Sequence, residues 1–281
     1  MRGPRIAIAY SVKDQAAIGA IKEFLGLVKA DKIECASAVE CWVTHEGVRI
    51  AGFSEDSVRL EFLDETPDPE AEAVIVVSRH RASSGRKELT VHHVGNPTLR
   101  TLGGEPEKLG TSFPRLASSL LVEYKREAEA IGILGEYEVS LEATHHGPTS
   151  VRKPVVFIEI GSTPSEWSDK RAHRVLAQTL LLHVERGSTN VECLEATAFG
   201  GSHYPYKFTS LVLRREYCIG HILSKHVFNE GVSEKVIIEA IEKTYPRSTA
   251  RAIVEKKSLK SAHRKLLSQI LEAKGIELVY V

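Results

Sequence analysis

The sequence predicts an α/β protein, a layered sheet with helices on both faces. Two patterns carry this: short runs rich in branched apolar residues recur along the chain, and amphipathic segments with helical spacing lie between them. The opening run from Arg5 to Tyr10 is strand-like, and Asp14 to Leu27 follows with apolar residues at helical intervals. Further strand-like runs are Ala73 to Val77, Tyr137 to Ala143, Val155 to Ile160, Val191 to Ala196, Thr209 to Leu213 and Ile276 to Tyr280. Each is short and β-branched, as a strand packed into a sheet requires. Helix-like stretches are Pro114 to Ala130, Pro164 to Glu185, Ser233 to Thr244 and Ser258 to Ala273. Pro164 suits a first helical turn, with Thr163 as its cap. Buried sheets of this kind place their sites at strand ends.

At 281 residues the chain has room for one large domain or two ordinary ones. The stretches from Thr66 to Glu72 and from Gly103 to Gly110 look like surface loops, too short to link domains, so a single domain over residues 1–281 is expected. A hydrophobic fraction of 42% and a charged fraction of 26% are ordinary for a globular chain. No apolar run approaches the ~18 residues of a membrane-spanning helix. Arg2-Gly3-Pro4-Arg5 precedes an apolar stretch too short for a signal peptide, so a cytoplasmic location is expected. Lys+Arg and Asp+Glu are both 37, giving zero net charge, so any contact with nucleic acid must be local. Cys35, Cys41, Cys193 and Cys218 are scattered without a Cys-x-x-Cys pair. They read as small core residues, with neither a zinc ribbon nor a disulfide framework indicated.

The chemistry concentrates where histidines follow strands. Val74 to Val77 leads to Ser78-Arg79-His80, and Leu89-Thr90-Val91 leads to His92-His93. Leu141-Glu142-Ala143-Thr144 leads to His145-His146-Gly147-Pro148, and Thr197 to Ser202 leads to His203-Tyr204. Imidazole and carboxylate are ligands zinc accepts, and a catalytic zinc commonly takes three protein ligands and a water whose pKa it lowers. Glu142, His145 and His146 offer both ligand types within five residues. Glu159 lies inside the apolar run Val155 to Ile160, where a charge costs several kcal/mol unless paired or metal-bound.

Plainer readings stand beside these. Adjacent histidines on a strand point to opposite faces, so only one of each pair need face the cavity. Glu159 could pair with an arginine such as Arg171. His45, His173, His183 and His263 have no ligand-like company and read as structural or solvated. Gly200-Gly201-Ser202 suits a substrate-approach loop or an ordinary turn. No P-loop and no Gly-x-Ser-x-Gly elbow is present.

Glu142 to Pro148, then Phe157 to Thr163 with Glu166-Trp167, then Gly200 to Tyr204, then Gly220-His221 with Lys225-His226 form an ordered series across most of the chain. This series resembles the archaeal and plant D-aminoacyl-tRNA deacylases, and Ser78 to His80 and His92 to Pro97 also resemble positions of that family. One departure is Pro205-Tyr206-Lys207 after Tyr204, where a small residue, proline and arginine are expected; Lys207 retains a positive group. The resemblance implies hydrolysis of the ester joining a D-amino acid to the terminal ribose of tRNA, and zinc dependence. It also implies a fold similar to the phosphorylase and peptidyl-tRNA hydrolase group, and the acceptor end of D-aminoacyl-tRNA as partner.

The expected reaction centre gathers His80, His92, Glu142, His145, His146, Glu159 and His203. His92, His145, His146 and His203 are the expected metal ligands, with Glu142 or Glu159 accepting a proton from water or adding a ligand. Lys225 and His226 are candidate catalytic groups. His80, Gly201, Tyr204, Lys207 and His221 are candidate substrate contacts. Arg251, Lys256, Lys257, Lys260, Arg264 and Lys265 form the densest basic cluster, suited to phosphates or to a solvated helix face. A monomer is expected, with a homodimer as the alternative. Two other functions fit the same residues: a metal-dependent peptidase or amidohydrolase acting on a small substrate, and a nucleic-acid- or nucleoside-binding protein without turnover.

Overall fold

The computed structural model describes residues 4–186 and 191–281; Arg2 and Gly3 of the opening segment lie outside the described residues. The chain begins with β1 (Ile6–Ser11), α1 (Gln15–Leu27) and three strands, β2 (Ala30–Lys32), β3 (Glu40–Thr44) and β4 (Arg49–Phe53). Then come β5 (Ala73–Arg79), β6 (Glu88–His93), β7 (Gly95–Asn96), β8 (Lys108–Leu109), α2 (Pro114–Ile131), β9 (Glu138–Leu141) and β10 (Val155–Gly161). Next are α3 (Pro164–Trp167), α4 (Lys170–Arg186), β11 (Leu194–Phe199), α5 (Tyr206–Leu213), β12 (Tyr217–Leu223) and α6 (Lys225–Glu230). The chain closes with α7 (Glu234–Glu242), β13 (Arg251–Val254), α8 (Ser261–Ala273) and β14 (Glu277–Tyr280).

The architecture is α/β, as expected. A sheet of 8 strands runs in the order β2-β3-β4-β1-β5-β10-β6-β9, and a second of 4 strands runs β12-β11-β13-β14. The central strands β1, β5 and β10 are apolar on both faces, the pattern of strands covered on both sides. Helices α1, α2 and α4 cover one face of the large sheet, and the turn Ser57–Arg59 with its flanking loops packs on the other. Both faces of the small sheet carry helices, α2 and α5 on one side and α7 and α8 on the other. Helix α2 therefore packs against both sheets, and one apolar cluster runs from Ile158 through Leu116 and Leu120 to Ile219.

Local chemistry sets the helix ends. Asp14 caps α1 by accepting from the N–H groups of Ala16 and Ala17 at 3.0 and 3.1 Å, and its other oxygen accepts from Arg79 N at 2.8 Å. Thr163 caps α3, with Glu166 completing the reciprocal box, as Pro164 led one to expect. The expected helix from Pro164 to Glu185 breaks after Trp167, because Asp169 starts a new helix by accepting from Arg171 N at 2.8 Å. Thr209 to Leu213 is helical, not a strand. Phe208, Leu211 and Val212 are buried at helical spacing, which outweighs the β-branching of Thr209 and Val212. The hairpins of β2, β3 and β4 and the strands β12 and β13 were not anticipated.

The cysteines depart from expectation too. Cys35 is bonded to Cys41 and Cys193 to Cys218, with Cα separations of 5.9 and 5.5 Å. Parallel pairing of β11 with β12 brings the second pair together from 25 residues apart, a proximity that spacing alone does not reveal. No described helix is long and apolar enough to cross a membrane.

His183, on α4, is buried, with Nδ1 bonded to Thr179 O at 2.8 Å and Nε2 to Ser119 Oγ at 3.0 Å. Burial pushes its pKa down to about 4. The unfolded chain therefore binds this proton first as pH falls, so the stabilisation present near neutrality is lost between about pH 6.5 and 4, by up to ~1.4 kcal/mol per pH unit. Denaturant unfolding across that range should show this slope, and His183→Gln should flatten it. An identical slope in the variant would refute the assignment.

Candidate active site

The large sheet builds the site by simple alternation. Ser78 lies opposite Glu159, Glu159 opposite Thr90, His92 opposite Phe157, and Thr90 opposite Ser140. Two-residue periodicity then carries His80, Glu88 and Glu142 onto that same polar face, while Val91, Leu141 and Ile158 face the helices. Four adjacent strands thus converge acids and imidazoles on one region.

Three imidazoles form the first group. The rings of His92, His145 and His146 lie 4.2 to 4.8 Å apart, centroid to centroid. Each donates its Nδ1–H to a backbone carbonyl: His92 to His93 O at 3.1 Å, His145 to Ala143 O at 2.9 Å, and His146 to Gly147 O at 2.7 Å. These bonds select the tautomer whose Nε2 carries a lone pair. His146 reaches the group through a left-handed backbone, φ 46°. The opposite-faces rule therefore does not apply to His145 and His146, which lie beyond the strand. It does hold for His92 and His93. His93 points away, donating Nδ1–H to Gly220 O and accepting from Phe113 N at 3.0 Å.

The second group centres on Glu142. Its carboxylate lies 2.8 Å from His203 Nε2, 3.2 Å from His80 Nδ1 and 3.8 Å from His145 Nε2. Both oxygens are buried, yet none of these three contacts is aligned as a hydrogen bond. His80 is the hub of the third group, 3.4 Å from Glu159 and 3.3 Å from Glu88, with Nε2 2.7 Å from Tyr204 Oη. Burial disfavours its charge, but Glu142, Glu159 and Glu88 outweigh that and raise its pKa far above the ordinary value. The three carboxylates around it favour the imidazolium form of His80. Burial opposes ionisation of Glu159 as well, and His80 and His92 overcome it, holding its pKa at about 2. Arg171 is not its partner; that guanidinium pairs at the surface with Glu136 and Asp169. Burial, followed by the neighbouring imidazoles, drives His145 well below its ordinary pKa, and burial takes His146 down to about 4.

Could the residues hold a metal ion? His92 Nε2 is fully buried and has no hydrogen-bond partner. The potential ligand atoms of His92, His145 and His146 lie within 4.8 Å of one another, as do those of Glu142, His145 and His203 and those of His80, Glu142 and Glu159. An orphaned lone pair among imidazoles with fixed tautomers fits a cation of borderline softness.

The centre opens through His145 and His203, whose side chains are 30% and 41% exposed while the other ligand candidates are buried. They line a cavity of about 290 Å³ with Asn96, Arg100, Leu102, His226 and Glu230. A larger cavity of about 640 Å³, beside Arg86, Tyr137 and Leu213, contains none of the clustered acids or histidines. Without them it is not the centre.

Of the remaining candidates, Tyr204 touches His80 and His226 lines the smaller cavity. Gly201 is buried at φ 75° and acts through its backbone, accepting from Lys225 N and donating to Ser258 Oγ. Lys225 enters through that same backbone bond. Lys207 is exposed on the first turn of α5. His221 is fully buried, with Nε2–H donating to Gly110 O and Nδ1 accepting from Thr144 Oγ1. Both its nitrogens are engaged, so it holds Thr144 behind His145 and does not face the cavity.

Sequence reasoning missed Glu88, whose signal was available: Glu88, Thr90 and His92 alternate with Leu89 and Val91. Trp167 supports the hub by donating Nε1–H to His80 O at 2.9 Å. Gly161 leaves room for the same ring, since a Cβ there would sit 2.6 Å from His80 Cβ and 2.7 Å from its Cδ2. Gly161→Ala should destabilise the fold by about 1–3 kcal/mol through overpacking against His80. A denaturant midpoint equal to the wild type would contradict this.

The comparisons with known proteins agree on one family. The D-aminoacyl-tRNA deacylase family model matches residues 67–279. A D-aminoacyl-tRNA deacylase of Aeropyrum pernix is 45% identical, covering 99% of this chain and 100% of its own length. One of Staphylothermus marinus is 40% identical, covering 98% of each chain. A solved structure of a conserved protein of unknown function superimposes with a TM-score of 0.88 at 25% identity, covering 100% of this chain and 96% of the other. The chain belongs to the D-aminoacyl-tRNA deacylase family.

Proposed function

We propose that the clustered histidines and acids hydrolyse the ester bond of D-aminoacyl-tRNA, releasing free D-amino acid and tRNA, with zinc as the resident metal. The observation that carries the chemistry is the trio of Nε2 lone pairs from His92, His145 and His146, each fixed by an Nδ1–H bond to a backbone carbonyl. The family relationship supports the substrate. These three side chains are the proposed ligands. When bound, zinc would lower the pKa of a water molecule and polarise the ester carbonyl.

His203 and Glu142 handle the proton. An imidazole beside a carboxylate 2.8 Å away suits a general base, and Glu142 stabilises the imidazolium formed. His203 sits on the exposed side of the centre, able to return that proton to the departing ribose oxygen. Glu159, held at about pKa 2, is too weakly basic for this task and serves as a fixed charge toward His92 and His80. His80 offsets part of the buried negative charge and positions the Tyr204 hydroxyl. An aminoacyl ester is already activated, so water and a proton carrier suffice without a covalent nucleophile. His226, at the cavity wall, is placed to contact the bound aminoacyl-adenosine end.

An apolar cluster common to both sheets supports reading the chain as a single domain, and a charged-tRNA substrate supports a cytoplasmic location.

Metal analysis paired with turnover of matched D- and L-aminoacyl-tRNA tests the reading. Turnover of the D-substrate should stop on chelation and return with zinc. Equal cleavage of both enantiomers would reduce the activity to a general esterase. Removing one ligand should separate the roles: His145→Ala should lose both bound metal and turnover. His203→Gln should retain metal while kcat falls about 10²–10⁴-fold, the range for a lost proton carrier. Retained metal and full turnover in His145→Ala would exclude the proposed ligand set.

A further inference from the structure

Two guanidinium groups converge on one aromatic ring beside the centre. Arg79 Cζ and Arg81 Cζ lie 5.5 and 5.8 Å from the centroid of the Trp167 ring. Stacking on indole favours each cation, yet it also brings two like charges together. Among the described residues no carboxylate lies within ion-pairing distance of either. Asp14, whose charge interacts with Arg79, is buried and already accepts from the backbone N–H groups of Ala16, Ala17 and Arg79. Arg79 donates from its guanidinium to a neutral carbonyl, Lys13 O, and Arg81 is exposed.

This pair flanks His80, and the Trp167 ring that gathers it is bonded to His80 O. Two further cations lie near Tyr206: Arg86 reaches Tyr206 Oη at 3.0 Å and pairs with Glu138 at 3.9 Å, and Lys207 is exposed without an ion-pair partner among the described residues. The basic cluster singled out in the sequence is more committed internally. Arg251 is paired with Glu277, and Arg264 is bonded to the carbonyls of Lys256 and Leu259.

We propose that Arg79 and Arg81, gathered on Trp167, bind backbone phosphates at the acceptor end of tRNA, with Arg86 and Lys207 extending the contact. The proposal rests on the tRNA-ester reading above. The terminal phosphodiester belongs to the nucleotide that carries the scissile ester, so an ester seated near His203 keeps its phosphate close to the centre, where Tyr204 and Trp167 both contact His80. Guanidinium suits this role because its planar fork can donate twice to a phosphate while stacking on an aromatic face. A local strip also explains how a chain of zero net charge can hold a polyanion.

The test is binding of uncharged tRNA across a salt series, with turnover of D-aminoacyl-tRNA measured in parallel. The variants are Arg79→Gln/Arg81→Gln, Arg81→Lys, and Lys257→Gln/Lys260→Gln from the alternative cluster. The arginine double variant should weaken Kd about tenfold or more at low salt. It should also reduce the slope of log Kd against log salt by about 1.5–2, corresponding to two lost phosphate contacts. Arg81→Lys should keep the slope, and the lysine double variant should leave it within about 0.5 of the wild type. Circular dichroism identifies any variant that fails to fold, in which case Arg81→Gln alone, with a slope change of about 0.8, decides the matter. An unchanged slope in the arginine variants, or an equal loss in the lysine variant, overturns the proposal. Normal tRNA binding through this strip without turnover would instead count against the hydrolytic reading and leave the strip standing.

Discussion

The structure depends on a balance of buried charge. Glu88, Glu142 and Glu159 are all enclosed around the single imidazole of His80, and removing each carboxylate from water costs several kcal/mol unless a positive partner is held nearby. The sheet order meets that condition. Placing β10 between β5 and β6, with β9 beyond, sets the hub at the end of one strand and the three acids on its neighbours. A rearranged strand order would leave acids buried without their cation. The same requirement explains the room left at Gly161 and the indole bond that anchors the backbone of His80.

Charge balance around His80 leaves the trio of His92, His145 and His146 chemically distinct: burial lowers the pKa of His145 and His146, whereas at His92 the neighbouring Glu159 outweighs burial and raises it. Their orientation is set by main-chain carbonyls, which do not titrate and move only with the backbone. Glu142 joins the two regions, near the hub on one side and His145 and His203 on the other. Neighbouring side chains on its two sides thereby sit in different electrostatic surroundings, which the proposed reading uses to separate proton handling from metal holding.

Much of this was legible in the sequence. Histidines at strand ends marked the centre, and a charge inside the apolar run around Glu159 marked its depth. Alternation separated His92 from His93 correctly. It failed at His145 and His146, because a left-handed residue beyond a strand escapes the two-residue period. Glu88 was overlooked because it opens its strand, where an acid looks solvent-facing until the pairing partner is known. His221 drew attention as a motif residue, but its buried hydrogen bonds depend on contacts with distant segments. The helix at Thr209 to Leu213 shows packing overriding propensity, and the cysteine pairs depend on strand adjacency that residue spacing does not encode.

Helix α2, lodged between the two sheets, has a consequence for how such a chain can be divided. His203 follows a strand of the small sheet, whereas Glu142 follows one of the large sheet, so the pair at the opening joins the two sheets, held by the shared helix and by the direct bond from Ala143 N to His203 O at 2.8 Å. A gene break between residues 186 and 191 would yield two fragments, each with an uncovered apolar face and half of a dyad. Neither fragment would be expected to fold alone, because the apolar cluster common to both sheets would lose one of its sides.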